Sequence, residues 1–203
     1  MGRNRSFDVD EALGSALRAF WEHGYDKTSM QDICQAMNIQ PGSVYATFGS
    51  KRDLFVAALR RYAETVSAEA VARVTDASSG LRGIRDYFTH LVDAMVDGDR
   101  RWGCLITNSL VEFATRDPEL VDLMSQHLAN LRAAFAAALA RAAAADELRP
   151  GVDASSADLL VAVVQGMNVL AKSQPGRSAL AAVAESAIAG LRPDRSVTTL
   201  TAR

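Results

Sequence analysis

The sequence predicts an all-α fold in two parts, a small N-terminal bundle followed by a larger C-terminal helical domain, and three observations carry that reading. Apolar residues recur at helical spacing along most of the 203 residues. Between these stripes stand helix stop and start signals: Ser and Asp as caps, Gly, Asn and Pro as breakers. The stretch 28–51, T-S-M-Q-D-I-C-Q-A-M-N-I-Q-P-G-S-V-Y-A-T-F-G-S-K, reads as two short helices, a tight turn and the start of another helix.

The first helix covers about 8–23. Val9, Leu13, Ala16, Leu17, Phe20 and Trp21 make its apolar stripe, with Trp21 read as core. Asp8, Asp10 and Glu11 give the acidic first turn that the helix dipole favours, and Gly24 is placed to cap the end. Thr28 or Ser29 caps the second helix, with Gln31 or Asp32 completing a capping box. Met30, Ile33, Cys34 and Met37 bury one face, and Asn38, which tolerates the left-handed conformation, ends the helix. Pro41 starts a third helix, about 41–47, and keeps Gln40 extended. Val44 and Phe48 face inward, which leaves Gln40, Ser43, Tyr45, Ala46 and Thr47 pointing elsewhere. Those groups are small or hydrogen-bonding and uncharged, which suits the DNA major groove; the spacing alone fits an ordinary helical hairpin with a solvated face equally well. Ser50 and Asp53 repeat the capping box before Leu54, Phe55, Ala58, Leu59, Tyr62 and Val66, so a fourth helix reaches about residue 74.

D-A-S-S-G at 76–80 is a turn cluster that opens the second domain, 75–203, after a first domain of 1–55 and its linking helix. Ile84, Phe88, Leu91, Val92 and Met95 mark a helix ending near Gly98, and a helix of mixed character follows at about 103–115. Asp117-Pro118 breaks it, and a long amphipathic helix from Leu120 to about 145 comes next. In 154–172, Leu159, Leu160, Val161, Val163, Val164, Met167, Val169 and Leu170 cover more than one face, and the helix at 178–191 is alanine-rich. This pair is read as the interface of an isologous homodimer; burial within one subunit is the alternative.

Composition narrows the function. No uncharged apolar run reaches the roughly 18 residues needed to span a bilayer, and the N-terminus lacks an apolar signal region, so a cytoplasmic protein without a membrane partner is expected. His23, His90 and His127 lie on different helices, and Cys34 and Cys104 alone make no four-ligand site, so no metal is expected. With neither a phosphate-cradling glycine loop nor a nucleophile elbow, no cofactor and no enzymatic activity are expected either. The net charge is -2, and the first 62 residues hold eight Lys/Arg against seven Asp/Glu, so charge alone does not announce a nucleic-acid binder. Position says more: Arg3, Arg5, Lys51 and Arg52 flank the outward helix, where they can meet phosphates or simply be solvated.

Residues 8–55 resemble the DNA-binding domain of the TetR family of bacterial transcriptional regulators. The resemblance rests on A-x-x-x-F-W-E-H-G-Y-D-K-T-S-M-Q-D-I from Ala16 and I-Q-P-G-S-V-Y-A-T-F-G-S-K-R-D-L-F from Ile39. It implies a dimeric helix-turn-helix regulator, most naturally a repressor, on a palindromic double-stranded operator. The residues matching Tyr45 and Lys51 hold phosphates in that family, and those matching Gln40, Ser43, Ala46 and Thr47 face the groove. Arg3, Arg5, Thr28, Ser29, Pro41 and Gly42 complete the candidate contact set. Ala46-Thr47 departs from the family's frequent aromatic-histidine pair, which leaves those two positions the least defined.

Two inputs fit the second domain. A small-molecule effector between its helices has Phe88, Met95, Trp102, Cys104, Asn108, Glu112, Phe135 and Gln165 as candidate lining, most of which also serve as plain core. Alternatively, an oxidant or electrophile acts on Cys104, whose Gly103-Cys104-Leu105 resembles a sequence in TetR-like repressors that respond to such agents. Arg100 and Arg101 add positive potential nearby, while a buried inert thiol is the plain alternative. Two rival functions remain at this level: a helical small-molecule-binding module that does not use DNA, and a thiol-dependent enzyme built on Cys104.

Overall fold

In the computed structural model, which describes residues 7–193 apart from the side chains of Asp99 and Arg100, helix boundaries fall where local caps set them. Asp8 accepts from the N–H groups of Asp10 and Glu11 at 2.8 and 3.2 Å and opens α1 (Val9–His23), and Gly24, at φ +83°, closes it. α2 (Met30–Met37) starts in a full capping box. The Asp32 N–H donates to Ser29 Oγ at 3.1 Å, while Asp32 Oδ2 accepts from the Ser29 N–H at 2.8 Å. Asn38 ends α2 in the left-handed region (φ 55°), and α3 (Pro41–Phe48) follows with proline at its first position. A second capping box, Ser50 with Asp53, opens α4 (Lys51–Tyr62). A π-helical turn, Ala63–Ser67, leads to α5 (Ala68–Thr75), so the long fourth helix expected to residue 74 carries one widened turn.

The remaining helices are α6 (Gly80–Val96), α7 (Leu105–Phe113), α8 (Pro118–Ala144), α9 (Ala157–Ala171) and α10 (Arg177–Ala189). No strand occurs among the described residues. Gly80, read from sequence as part of a turn, is the first residue of α6, because Ser79 supplies the cap by accepting from the Arg82 N–H at 3.1 Å. α7 is shorter than the expected 103–115. Gly103 is at φ +81° and Cys104 is extended, which fixes its start, and Asp117 caps the next helix by accepting from the Leu120 N–H.

Packing divides the chain into two compact units, each made of two stretches: residues up to 68 with 104–127, and 69–103 with those from 128 onward. This differs from the contiguous division into 1–55 and 75–203. The physical reason is that α7 packs against α4 and its Phe113 joins the aromatic core of the N-terminal helices. In that first unit α1 lies against α2 and α4, and Phe20, Tyr25, Phe55 and Phe113 form a ring cluster with centroids 4.9–6.0 Å apart. Trp21 is buried, as read, edge-on to Tyr62 at 4.9 Å. Such ring pairs add about 0.5–1.5 kcal/mol each beyond their burial.

In the second unit α6 packs against α9 and α10, and Phe88 and Phe135 lie parallel in its core with Tyr87 edge-on to both. Gly80 is required there: a Cβ on it would stand 1.9 Å from the Ala138 carbonyl oxygen of α8. The span Ala154–Ala171 is long and apolar enough to cross a membrane by length and composition. Leu160, Val164, Met167 and Ala171 nevertheless put one face of α9 into the core, and Asp158 pairs with Arg132 at 2.5 Å, so it is a core helix with a second apolar face. On that second face Leu159, Val169 and Leu170 remain 62, 60 and 46% exposed.

Candidate nucleic-acid interface

The α2–turn–α3 hairpin is built by residues that do not face outward. Ile33, Cys34, Met37 and Val44 are buried, and burial pushes the Cys34 thiol above its ordinary pKa. What α3 leaves outside is Gln40, Pro41, Gly42, Tyr45 and Ala46, with Ser43 and Thr47 half-buried beside them. Tyr45 keeps half its surface exposed, so its phenol stands off the hairpin as a phosphate contact requires. Nothing lies within 4 Å of a Cβ placed on Gly42, so the outward surface is open at that position.

Two acids at this end are bound into the caps: hydrogen bonds from Ser29 and Ser50 hold the Asp32 and Asp53 carboxyls below the usual range. A third, Asp26, is held down by Arg116, whose two Nη atoms meet its oxygens at 2.6 and 3.0 Å. Lys51, the first residue of α4, lies with Nζ 4.1 Å from the centroid of the Tyr25 ring. Arg52, next in the chain, is committed elsewhere. It pairs with Asp117 at 2.8 Å and Glu119 at 2.7 Å, so the sequence-based idea that it meets phosphates gives way to an ion pair that neutralises it.

Two further candidates fall differently from expectation. Thr28 is fully buried, and its hydroxyl donates to the Gly24 carbonyl at 2.6 Å, which removes it from any surface contact; Ser29 alone is the cap. Arg3 and Arg5 lie outside the described residues.

The eight residues read as effector lining are not gathered into one unit. Phe88, Met95 and Phe135 sit in the core of the second unit, to which Trp102 and Gln165 also belong, while Cys104, Asn108 and Glu112 belong to the first. Glu112 is engaged with backbone: its oxygens accept from the N–H groups of Tyr25 at 3.1 Å and Asp26 at 2.7 Å. Cys104 is buried at the N-cap of α7, and Tyr62 donates its hydroxyl to Cys104 Sγ at 3.4 Å. Sequence reasoning missed Asn168. It is 2% exposed; its amide donates to the Val164 carbonyl, and its Oδ1 has no protein partner. Two open grooves of about 910 and 570 Å3 in the second unit are lined by charged residues, Arg82, Arg85 and Glu147 in one and Glu69, Arg73 and Asp93 in the other, and by none of the eight. Among the described residues no cluster of three potential metal ligands occurs.

Comparison with known proteins gives the same picture over nearly the full chain. Residues 12–58 match the family model "Bacterial regulatory proteins, tetR family", and residues 80–188 match "Tetracyclin repressor-like, C-terminal domain". The chain is 38% identical to the uncharacterized HTH-type transcriptional regulator YezE of Bacillus subtilis over 73% of its length and 76% of that protein's. It is 28% identical to the HTH-type transcriptional repressor ComR of Escherichia coli over 84 and 82% of the two chains. Among solved structures, a cysteine-substituted regulator CifR in complex with 26-bp operator DNA is 30% identical, covers 94% of this chain and 100% of its own, and superposes with a TM-score of 0.81.

Proposed function

The chain belongs to the TetR family of bacterial regulatory proteins and is a DNA-binding transcriptional regulator, and from that premise we propose that it is a homodimeric repressor of a palindromic operator, released by modification of Cys104. The observation that carries the DNA reading is the uncharged outer face of α3, with Lys51 beside it. In this reading Gln40, Pro41, Gly42, Ser43, Ala46 and Thr47 meet base edges, while Tyr45, Lys51 and the α2 cap at Ser29 meet phosphates. The second apolar face of α9, together with Ala179, Ala182 and Ser186 exposed on α10, supports an isologous four-helix contact between two copies. Two-fold symmetry then sets the reading helices one DNA turn or a multiple apart, about 34–36 Å for the shortest spacing.

The place of Cys104 supports the input. It stands at the N-cap position of α7, the helix whose other end bonds to the α1–α2 turn, and its sulfur accepts from Tyr62. An electron-poor alkene such as N-ethylmaleimide adds across its double bond, the sulfur bonding to one carbon and the thiol proton passing by way of water to the other, and so adds bulk where Cys104 is only 5% exposed. Release is limited to the difference in stability that the adduct creates between the two states. A second reading, a small-molecule effector among Phe88, Met95 and Phe135, draws on the unpartnered Asn168 Oδ1, since a buried acceptor left unpaired costs about 1–3 kcal/mol. The test is operator binding across a salt series, with and without N-ethylmaleimide, for the wild type and Cys104→Ser. Binding lost on treatment only in the wild type supports the proposal; equal response of both proteins removes Cys104 as the input, and absence of specific binding removes the operator reading.

A further inference from the structure

The α7–α8 corner grips the DNA-binding helices at two places, and both adjoin the same residue. On one side Glu112 uses both carboxylate oxygens to hold the backbone N–H groups of Tyr25 and Asp26, at 3.1 and 2.7 Å, and Arg116 holds the Asp26 side chain in a two-pronged pair. Phe113, the next residue of α7, packs against the Tyr25 ring with centroids 5.1 Å apart. The face of that ring carries the Lys51 ammonium at 4.1 Å. On the other side Arg52, peptide-bonded to Lys51, is tied to Asp117 by two bonds of 2.8 and 3.2 Å and to Glu119 by one of 2.7 Å. Gly24 opens this turn at φ +83°, a conformation that L side chains rarely adopt, and a Cβ on it would stand in ordinary contact with Glu112 Oε2 at 3.5 Å.

A lysine at a protein surface has four rotatable bonds to order before its ammonium meets a phosphate at one place. A ring beneath the ammonium reduces that cost by holding the side chain near one direction before DNA arrives. The ring is useful only if the turn that carries it stays fixed, and the turn is short, with its outward backbone donors satisfied by a residue 87 positions away. We infer that Glu112 is a positioning residue for operator binding, which acts through the Tyr25 ring to aim Lys51 at a phosphate. This rests on the reading of Lys51 as a phosphate contact. It gives α7 a direct route to a DNA-binding side chain, separate from the spacing of the two recognition helices.

A double-mutant cycle on salt-dependent binding tests it, using as probe a duplex that the wild-type protein selects from random-sequence DNA. Lys51→Ala should weaken binding about tenfold and lower the slope of log affinity against log salt by about one. Glu112→Ala should weaken binding about fivefold in the wild-type background and less than about twofold in the Lys51→Ala background, since coupled residues lose their effect when the partner is gone. Glu112→Gln, which keeps the size and one acceptor, should fall between, and it serves in place of the alanine variant should that one not fold. An equal loss in both backgrounds, or no loss in either Glu112 variant, overturns the inference. An unchanged salt slope in Lys51→Ala instead removes the phosphate contact on which it stands.

Discussion

Leu159 is the residue on which the proposed dimer is most directly tested. Fully burying a leucine side chain contributes about 1.5–3 kcal/mol, and Leu159 still exposes 62% of its surface, so roughly 1–2 kcal/mol remains for a second subunit to supply. An isologous contact uses the residue twice, which brings the gain to about 2–4 kcal/mol per dimer. Leu159→Asp forfeits that gain and places two carboxylates near the axis, where leaving water adds a further cost. The dimer dissociation constant should therefore rise at least about a hundredfold, each 1.4 kcal/mol being a factor of ten. Sedimentation velocity over a concentration series reads this directly. Val111, 79% exposed on α7 and so on neither of the two helices of the proposed contact, provides the comparison: Val111→Asp should leave the association unchanged. A Leu159→Asp protein that dimerises like the wild type would refute the reasoning, as would a Val111→Asp protein that dissociates as readily.

Two further outcomes concern stability. Gly80→Ala must move α6 away from α8 to relieve a 1.9 Å approach, and overpacking of this kind costs about 1–3 kcal/mol, so its urea midpoint should fall at constant protein concentration; a midpoint equal to wild type would mean the crossing is looser than described. Acid should weaken the DNA-binding helices through their caps. Asp32 and Asp53 have folded pKa values lowered from an ordinary 3.8 by hydrogen bonds from Ser29 and Ser50, so their contribution is whole above that value and is lost as pH falls through the lower folded values. The thermal midpoint should be flat on this account from neutral pH to about 5 and then drop; it should drop less for Asp32→Asn, and identical profiles would exclude the cap as the cause.

The parts of this fold that are legible in the sequence are those decided within a few residues. Asn38, Pro41 and the pairs Ser29–Asp32 and Ser50–Asp53 each announce a helix end by chemistry contained in one turn of chain, and each does so in the structure. Glu112 is legible in the sequence only as a polar residue on a helix of mixed character, where it reads as candidate effector lining. Its partners are two backbone amides, which carry no side-chain signature, at a separation of 87 residues. Arg52 misleads for a related reason: a basic residue beside a recognition helix looks like a phosphate ligand until Asp117 and Glu119 are brought to it. Thr28 and Ser29 are chemically equivalent as caps, and only the fold of the preceding turn buries one and exposes the other.

The two-stretch make-up of the first unit bears on how such regulators can be recombined. A chimera that joins residues up to 68 to a foreign sensing domain keeps the helices that the family model at 12–58 recognises, yet leaves 104–127 behind. The transplanted head would then lack Phe113 from its aromatic cluster, the carboxylate under the Tyr25–Asp26 amides and the acids that neutralise Arg52. Exchange along the linear boundary thus transfers an incomplete part, and a working hybrid has to import both segments or rebuild the α7–α8 corner in its new host.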